Sequence, residues 1–162
     1  MNYKGMKKRM RMIMAMAVVL LSLLTSGTVL AASSGKCGIN ITWTLDDNGN
    51  LVLTGSGPMG DYRYGLGPWK DCKNLIKTIS IGDGITSIGD YTFQECSGLT
   101  SVVIPNSVTR IGDNAFYKCS GMTNLVIGNS VTRIGKYAFL ECSSLTSVVM
   151  GNSVVGIGKL AF

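Results

Sequence analysis

Ile88-Gly89, Ile111-Gly112, Ile134-Gly135 and Ile157-Gly158 recur at intervals of 23 residues, a period that points to a stacked repeat rather than an ordinary layered domain. Phe93, Phe116, Phe139 and Phe162 keep the same interval, as do Cys96, Cys119 and Cys142. Residues 88–110 and 111–133 agree at 15 of 23 positions, which coincidence does not produce. A unit this short cannot bury its apolar face alone. Successive units must therefore stack and share one continuous core.

Each unit reads as one coil. Leu99–Ile104, Met122–Ile127 and Leu145–Met150 alternate as short strands, with every second residue directed inward. Pro105, Gly128 or Gly151, each followed by Asn-Ser, turns the chain into a second extended piece such as Val108–Ile111. Gly112 then admits a bend into one helical turn, Asp113 to Cys119, with Phe116 and Cys119 facing the core. The expected architecture is an α/β repeat solenoid of short parallel strands plus one-turn helices, with rungs about 4.8 Å apart. Asn106, Asn129 and Asn152 are expected to stack where their amides bond to neighbouring turns. Glu95, Lys118 and Glu141 form a column of alternating sign. Exposed pairs of that kind contribute about 0–1 kcal/mol, so the column serves to reject slipped registers.

Residues 37–72 carry no repeat. Ile41–Leu45 and Leu51–Gly55 flank Asp46-Asp47-Asn48-Gly49-Asn50, a β-hairpin by composition and turn chemistry. The first coil of a solenoid needs a cover on its outer side, and this hairpin is the natural cap. Trp69 and Cys72 keep the three-residue offset of Phe93 and Cys96, opening a degenerate first coil with its strand near Ile79–Ile81. The organisation read from the sequence is a leader over 1–31, a cap over 32–72, and a solenoid of about four coils over 73–162, the last incomplete. Because Phe162 falls before the next expected Cys, further repeats or domains are expected beyond it, an end-to-end dimer being the alternative.

The first residues set the expected compartment. Lys4, Lys7, Lys8, Arg9 and Arg11 precede an uncharged apolar run from Met12 to Leu24, and Val29 and Ala31 fit a signal-peptidase site. Cleavage is placed after Ala31 or one residue later. The alternative, an uncleaved anchor, needs roughly 20 apolar residues, more than this run supplies. Lys36 before Cys37 is not the small residue a lipid anchor requires. Of 15 Lys plus Arg, five lie in the leader, so ten basic residues face nine acidic ones and the remaining net charge is +1. No cluster of Lys and Arg remains to bind nucleic acid, and the membrane is met only through the leader during export.

Cys37-Gly38, Thr42-Trp43-Thr44-Leu45-Asp46, Gly55-Ser56-Gly57-Pro58-Met59 and Pro68-Trp69 resemble the N-terminal region of many bacterial surface repeat proteins. The units with Ile-Gly-x-x-x-Phe-x-x-Cys-Ser resemble the BspA-type leucine-rich repeat family. The resemblance implies a leucine-rich-repeat-like fold in a secreted or cell-surface protein. It also implies adhesin-like binding of an extracellular protein, such as a host matrix or plasma protein. It carries no family-wide catalytic or binding residues to this chain.

The chain contains no histidine, which excludes Ser-His-Asp, Cys-His and histidine-ligated metal sites within it. Its carboxylates are scattered along the repeats, so an enzyme is not expected, nor is a cofactor. Cys96, Cys119 and Cys142 read as buried small hydrophobes, although adjacent coils could bring two within disulfide range. Cys37 and Cys72 could pair, and their state is left open. Asp46–Asn50 has a passing likeness to a calcium loop but lacks the spaced ligands and the final Glu, so no metal is expected there. Asp61-Tyr62-Arg63-Tyr64 near Trp69 offers carbohydrate stacking, against the reading of a surface loop with Trp69 in the core. Arg110 and Arg133 form either a small basic spot or ordinary solvated charge. The best binding candidates are outward strand positions: Ser101, Asn124 and Ser147 in one row, Val103, Val126 and Val149 in the next. Such a strip suits a flat protein partner, while valine is also simply a good strand former. A spacer or display segment of a larger surface protein is the alternative function.

Overall fold

The computed structural model describes residues 33–162, so the expected leader lies outside the described residues. The hairpin read from the sequence is present. Strand β2 (Gly38–Leu45) pairs antiparallel with β3 (Asn50–Met59), with Trp43 opposite Leu53. Asp46 closes the turn by accepting the N–H groups of Asn48 and Asn50 and the Asn50 side-chain amide. A further strand, β1 (Ser33–Lys36), covers the outer edge of β2 and has no counterpart in the sequence reading.

Beyond the cap the chain winds as a parallel β-solenoid. One sheet stacks β4 (Thr78–Ile81), β6 (Ser101–Ile104), β8 (Asn124–Ile127) and β10 (Ser147–Val149). The other stacks β5 (Ile85–Ile88), β7 (Arg110–Ile111), β9 (Arg133–Ile134) and β11 (Gly156–Ile157). Both sheets start on β3. Its first half pairs with β4, Leu51 beside Ile79, and its second half pairs with β5, Gly57 beside Ile85. The strand turns between them at Gly55, whose φ of +120° excludes ordinary side chains and where a Cβ would lie 1.9 Å from the Asn40 carbonyl oxygen.

The third side of each coil corrects the sequence reading. The described residues contain no α-helix, and the only helical piece is a three-residue 3-10 turn at Lys73–Leu75. The fold is therefore a β-solenoid rather than α/β, and Asp113 to Cys119 is not a helical turn. Asn114 and Lys118 adopt left-handed φ values of 55° and 59°. The N–H groups of Asn114, Phe116 and Lys118 then point along the solenoid axis and donate to Lys136, Ala138 and Leu140 of the next coil at 2.7–2.9 Å. A helix would have spent those donors within its own segment. The same conformation recurs at Tyr91 and Glu95, at Tyr137 and Glu141, and at Leu160.

The core consists of the columns expected from the period. Trp69, Phe93, Phe116, Phe139 and Phe162 stack ring on ring, with centroids 4.8–5.2 Å apart and planes within 21°. Trp43 of the cap meets Trp69 edge-on at 5.8 Å and closes the stack. Ile88, Ile111 and Ile134 are fully buried beside them. The glycine after each isoleucine is required by space rather than by φ. A Cβ at Gly112 would sit 2.6 Å from the Asp90 backbone nitrogen, and one at Gly135 would sit 2.4 Å from the Gly112 carbonyl carbon.

Candidate interaction face

The outward rows form as the alternation requires. Ser101 pairs with Asn124 and Asn124 with Ser147, while Val103, Val126 and Val149 lie in register one row over. All six residues are exposed, the valines by 58%, 37% and 56%. Their inward neighbours Val102 and Leu125 are each only 1% exposed, so the pleat separates strip from core on β6 and β8, whereas Val148 on the last rung is 41% exposed.

The structure lengthens this strip beyond the residues found by sequence reasoning. Thr78 pairs with Ser101 and Asn50 with Thr78, extending the polar row onto the cap. Val52 and Ser80, also paired, begin the row that Val103 continues. The signal was the alternation of Leu51-Val52-Leu53-Thr54, but its register against the repeats depends on β3 serving as rung zero. Hydroxyls tie the rungs together. Thr78 donates to the Asn50 side-chain oxygen Oδ1 at 2.7 Å, and Thr123 and Thr146 donate to the backbone carbonyls of Thr100 and Thr123 at 3.1 and 3.2 Å. No strand of this sheet from β2 to β10 contains a charged residue. The result is a flat, neutral, valine-and-hydroxyl surface spanning five rungs from β3 to β10.

The other candidates resolve differently. Glu95, Lys118 and Glu141 do form an alternating column, extended by Lys73, which pairs with Glu95; Lys118 meets Glu141 at 3.8 Å. The hydrogen bond from Lys73, followed by that from Tyr64, holds the Glu95 carboxyl below its ordinary range. These residues line a shallow groove of about 590 Å³ with Ser97, Ser120 and Ser143. Trp69 is 2% exposed and belongs to the core, not to a stacking platform. Asn106 and Asn129 stack as expected, the Asn106 side-chain oxygen accepting the Asn129 N–H at 2.8 Å.

All five cysteines are unbridged, Cys37 and Cys72 included. Burial pushes the Cys37 and Cys96 thiols up to about 12, and raises Cys119 well above its usual value. The hydrogen bond with Cys119 lowers Cys142. Cys119 and Cys142 also donate to the carbonyls of Phe93 and Phe116 one coil below. Buried thiols held in this way act as small packing groups. Among the described residues no group of three or more His, Cys, Asp or Glu could hold a metal ion. Asp46, the strongest calcium candidate by sequence, spends its carboxylate on its own turn, whose donors depress its pKa, the Asn50 N–H foremost.

A feature missed from sequence is the column below Ile-Gly. Asp61, Asp90 and Asp113 stack, each Oδ1 accepting the backbone N–H of the residue above at 2.8–2.9 Å. Arg110 pairs with Asp90 at 2.8 Å. The signal lay in Ile88-Gly89-Asp90 and Ile111-Gly112-Asp113, whose third position was not followed as a column.

A capped solenoid of in-register coils with an open face in place of a cleft defines a repeat-built scaffold. The BspA type leucine rich repeat region matches residues 69–162 in six copies, and the chain belongs to that family. It is similar to a leucine-rich repeat protein from Eubacterium ventriosum, at 29% identity and a TM-score of 0.61 over 78% of this chain and 40% of that one. It is also similar to the leucine rich repeat protein of T. pallidum, at 25% identity and a TM-score of 0.53 over 73% of this chain and 61% of that one. The chain thus spans less than two thirds of either relative's length. None of the proteins of curated function matches it.

Proposed function

We propose that this chain is a non-catalytic binding module, exported from the cell, that docks an extracellular protein on the outer face of the β4–β6–β8–β10 sheet. The observation that carries this reading is the neutral strip itself, with valines more than a third exposed in register over successive rungs. Such a face gives a partner apolar area to cover with little charge to desolvate. The leader and the family membership support export and a surface role. Among the described residues no helix is long and apolar enough to cross a membrane.

The test is capture of extracellular-matrix and plasma proteins by the exported chain, compared with a triple Val103→Ala, Val126→Ala, Val149→Ala variant. Affinity should fall about tenfold or more, in keeping with roughly 0.5 kcal/mol for each truncated valine. Unchanged capture by a folded variant would remove this face from consideration. A spacer role is the second reading, favoured by the unbroken aromatic stack that stiffens the coils lengthwise. It requires that no partner be captured by any surface of the chain.

A further inference from the structure

The column under Ile-Gly changes sign partway along the described coils. It reads Asp61, Asp90, Asp113, Lys136, Lys159 from the cap outwards. Backbone bonds prove the alignment. Asp61 accepts from Asp90, Asp90 from Asp113, and Asp113 from Lys136; Tyr137 N–H then donates to the Lys159 carbonyl at 3.1 Å. At about 4.8 Å per rung, the five positions span about 19 Å of one straight corner. Arg133 adds a third cation to the outer half, while Arg110, in the inner half, is held by Asp90.

The acidic half is partly spent on Arg110, which pairs with Asp90 at 2.8 Å and lies 3.8 Å from Asp61, so three carboxylates there face one cation. Only Oδ1 of each aspartate is engaged, leaving Oδ2 of all three without a hydrogen bond among the described residues. Arg133, Lys136 and Lys159 are exposed and make no ion pair among the described residues. Nowhere else among the described residues is charge segregated like this. The column through Lys73, Glu95, Lys118 and Glu141 alternates and pairs within itself, and the β4–β10 sheet is neutral. A straight edge that is acidic at one end and basic at the other is complementary to itself reversed, the condition for a two-fold interface.

We propose that this corner pairs with the same corner of a second copy of the chain, side by side and antiparallel. Lys136 and Lys159 of one copy then face Asp113 and Asp90 of the other, and the reverse holds across the dyad. Exposed ion pairs are individually weak, so this is a reversible dimer whose register is set by charge and whose strength depends on salt. The neutral sheets of both copies stay uncovered, so the proposal is independent of what those sheets bind.

Sedimentation velocity on the full chain, recovered after export, tests this directly. A monomer–dimer equilibrium is expected at low ionic strength, with Kd rising about tenfold or more at physiological salt. Lys136→Glu with Lys159→Glu makes the column acidic throughout, and should leave a folded monomer. Asp90→Lys with Asp113→Lys makes its four outer positions basic, leaving only Asp61 acidic, and should do the same. Mixing the two variants should restore a dimer, now a heterodimer, which loss of structure cannot mimic. Should the aspartate variant fail to fold, the lysine variant alone still decides the matter, since both of its positions are exposed. A chain that is monomeric at low salt, a dimer indifferent to the lysine reversal, or two folded variants that do not associate on mixing would each overturn the proposal.

Discussion

The left-handed residues bear the local cost of this fold. Tyr91, Glu95, Asn114, Lys118, Tyr137, Glu141 and Leu160 have φ between 50° and 61°, and only Asn114 is of a type that tolerates the conformation well. The remaining strain, of order 1 kcal/mol at each position, is offset at Tyr91, Glu95, Asn114, Lys118 and Tyr137 by axial hydrogen bonds to the next coil, while Leu160 donates none among the described residues. Leu160 is 55% exposed, so its replacement loses little packing. Leu160→Asn, copying Asn114, should therefore stabilise the protein by about 0.5–1 kcal/mol, read from urea denaturation. Phe116 presents the opposite case. It is fully buried between Phe93 and Phe139, and Phe116→Ala should cost about 3–5 kcal/mol in the same measurement.

At the scale of the element, the coils are held at a spacing that leaves no room beside the Ile-Gly step. Gly112→Ala brings a methyl group to 2.4 Å from the Asp90 carboxylate and 2.6 Å from its backbone nitrogen. The substitution should destabilise by about 1–3 kcal/mol despite reducing unfolded-chain entropy, and a fall in melting temperature would record it. The strands, the hairpin and the inward columns were legible because alternation and a fixed period report directly on which side of a strand a residue lies. The third side was not legible. Asn114-Ala115-Phe116-Tyr117-Lys118 has nothing against a helical turn locally, and its conformation is dictated by acceptors on the next coil. The two outward rows were placed correctly from the repeat alone, yet their continuation onto Asn50 and Val52 depended on a pairing between unlike sequences.

For the whole molecule, the buried thiols couple stability to alkaline pH. Cys37 in the cap and Cys96 in the coils are raised by burial from 9.0 to about 12. Between those values the folded protein keeps protons that the unfolded chain has released, so stability falls as pH rises through the window and is unaffected below it. The expected slope is about 1.4 kcal/mol per pH unit for each thiol, and Cys96→Ala should remove its share of that slope from the urea midpoint measured between about pH 8 and 10.5. The backbone hydrogen bonds along the axis join neighbouring rungs, which gives special weight to the strand that opens both sheets. Because β3 is shielded on one flank by β2 and templates two sheets on the other, it behaves like a seed crystal with a single growing face. Each turn of chain presents two docking edges to the turn that follows it, so the coils extend from the seed along one direction. The number of turns is then a quantity that evolution can lengthen or shorten without touching the seed.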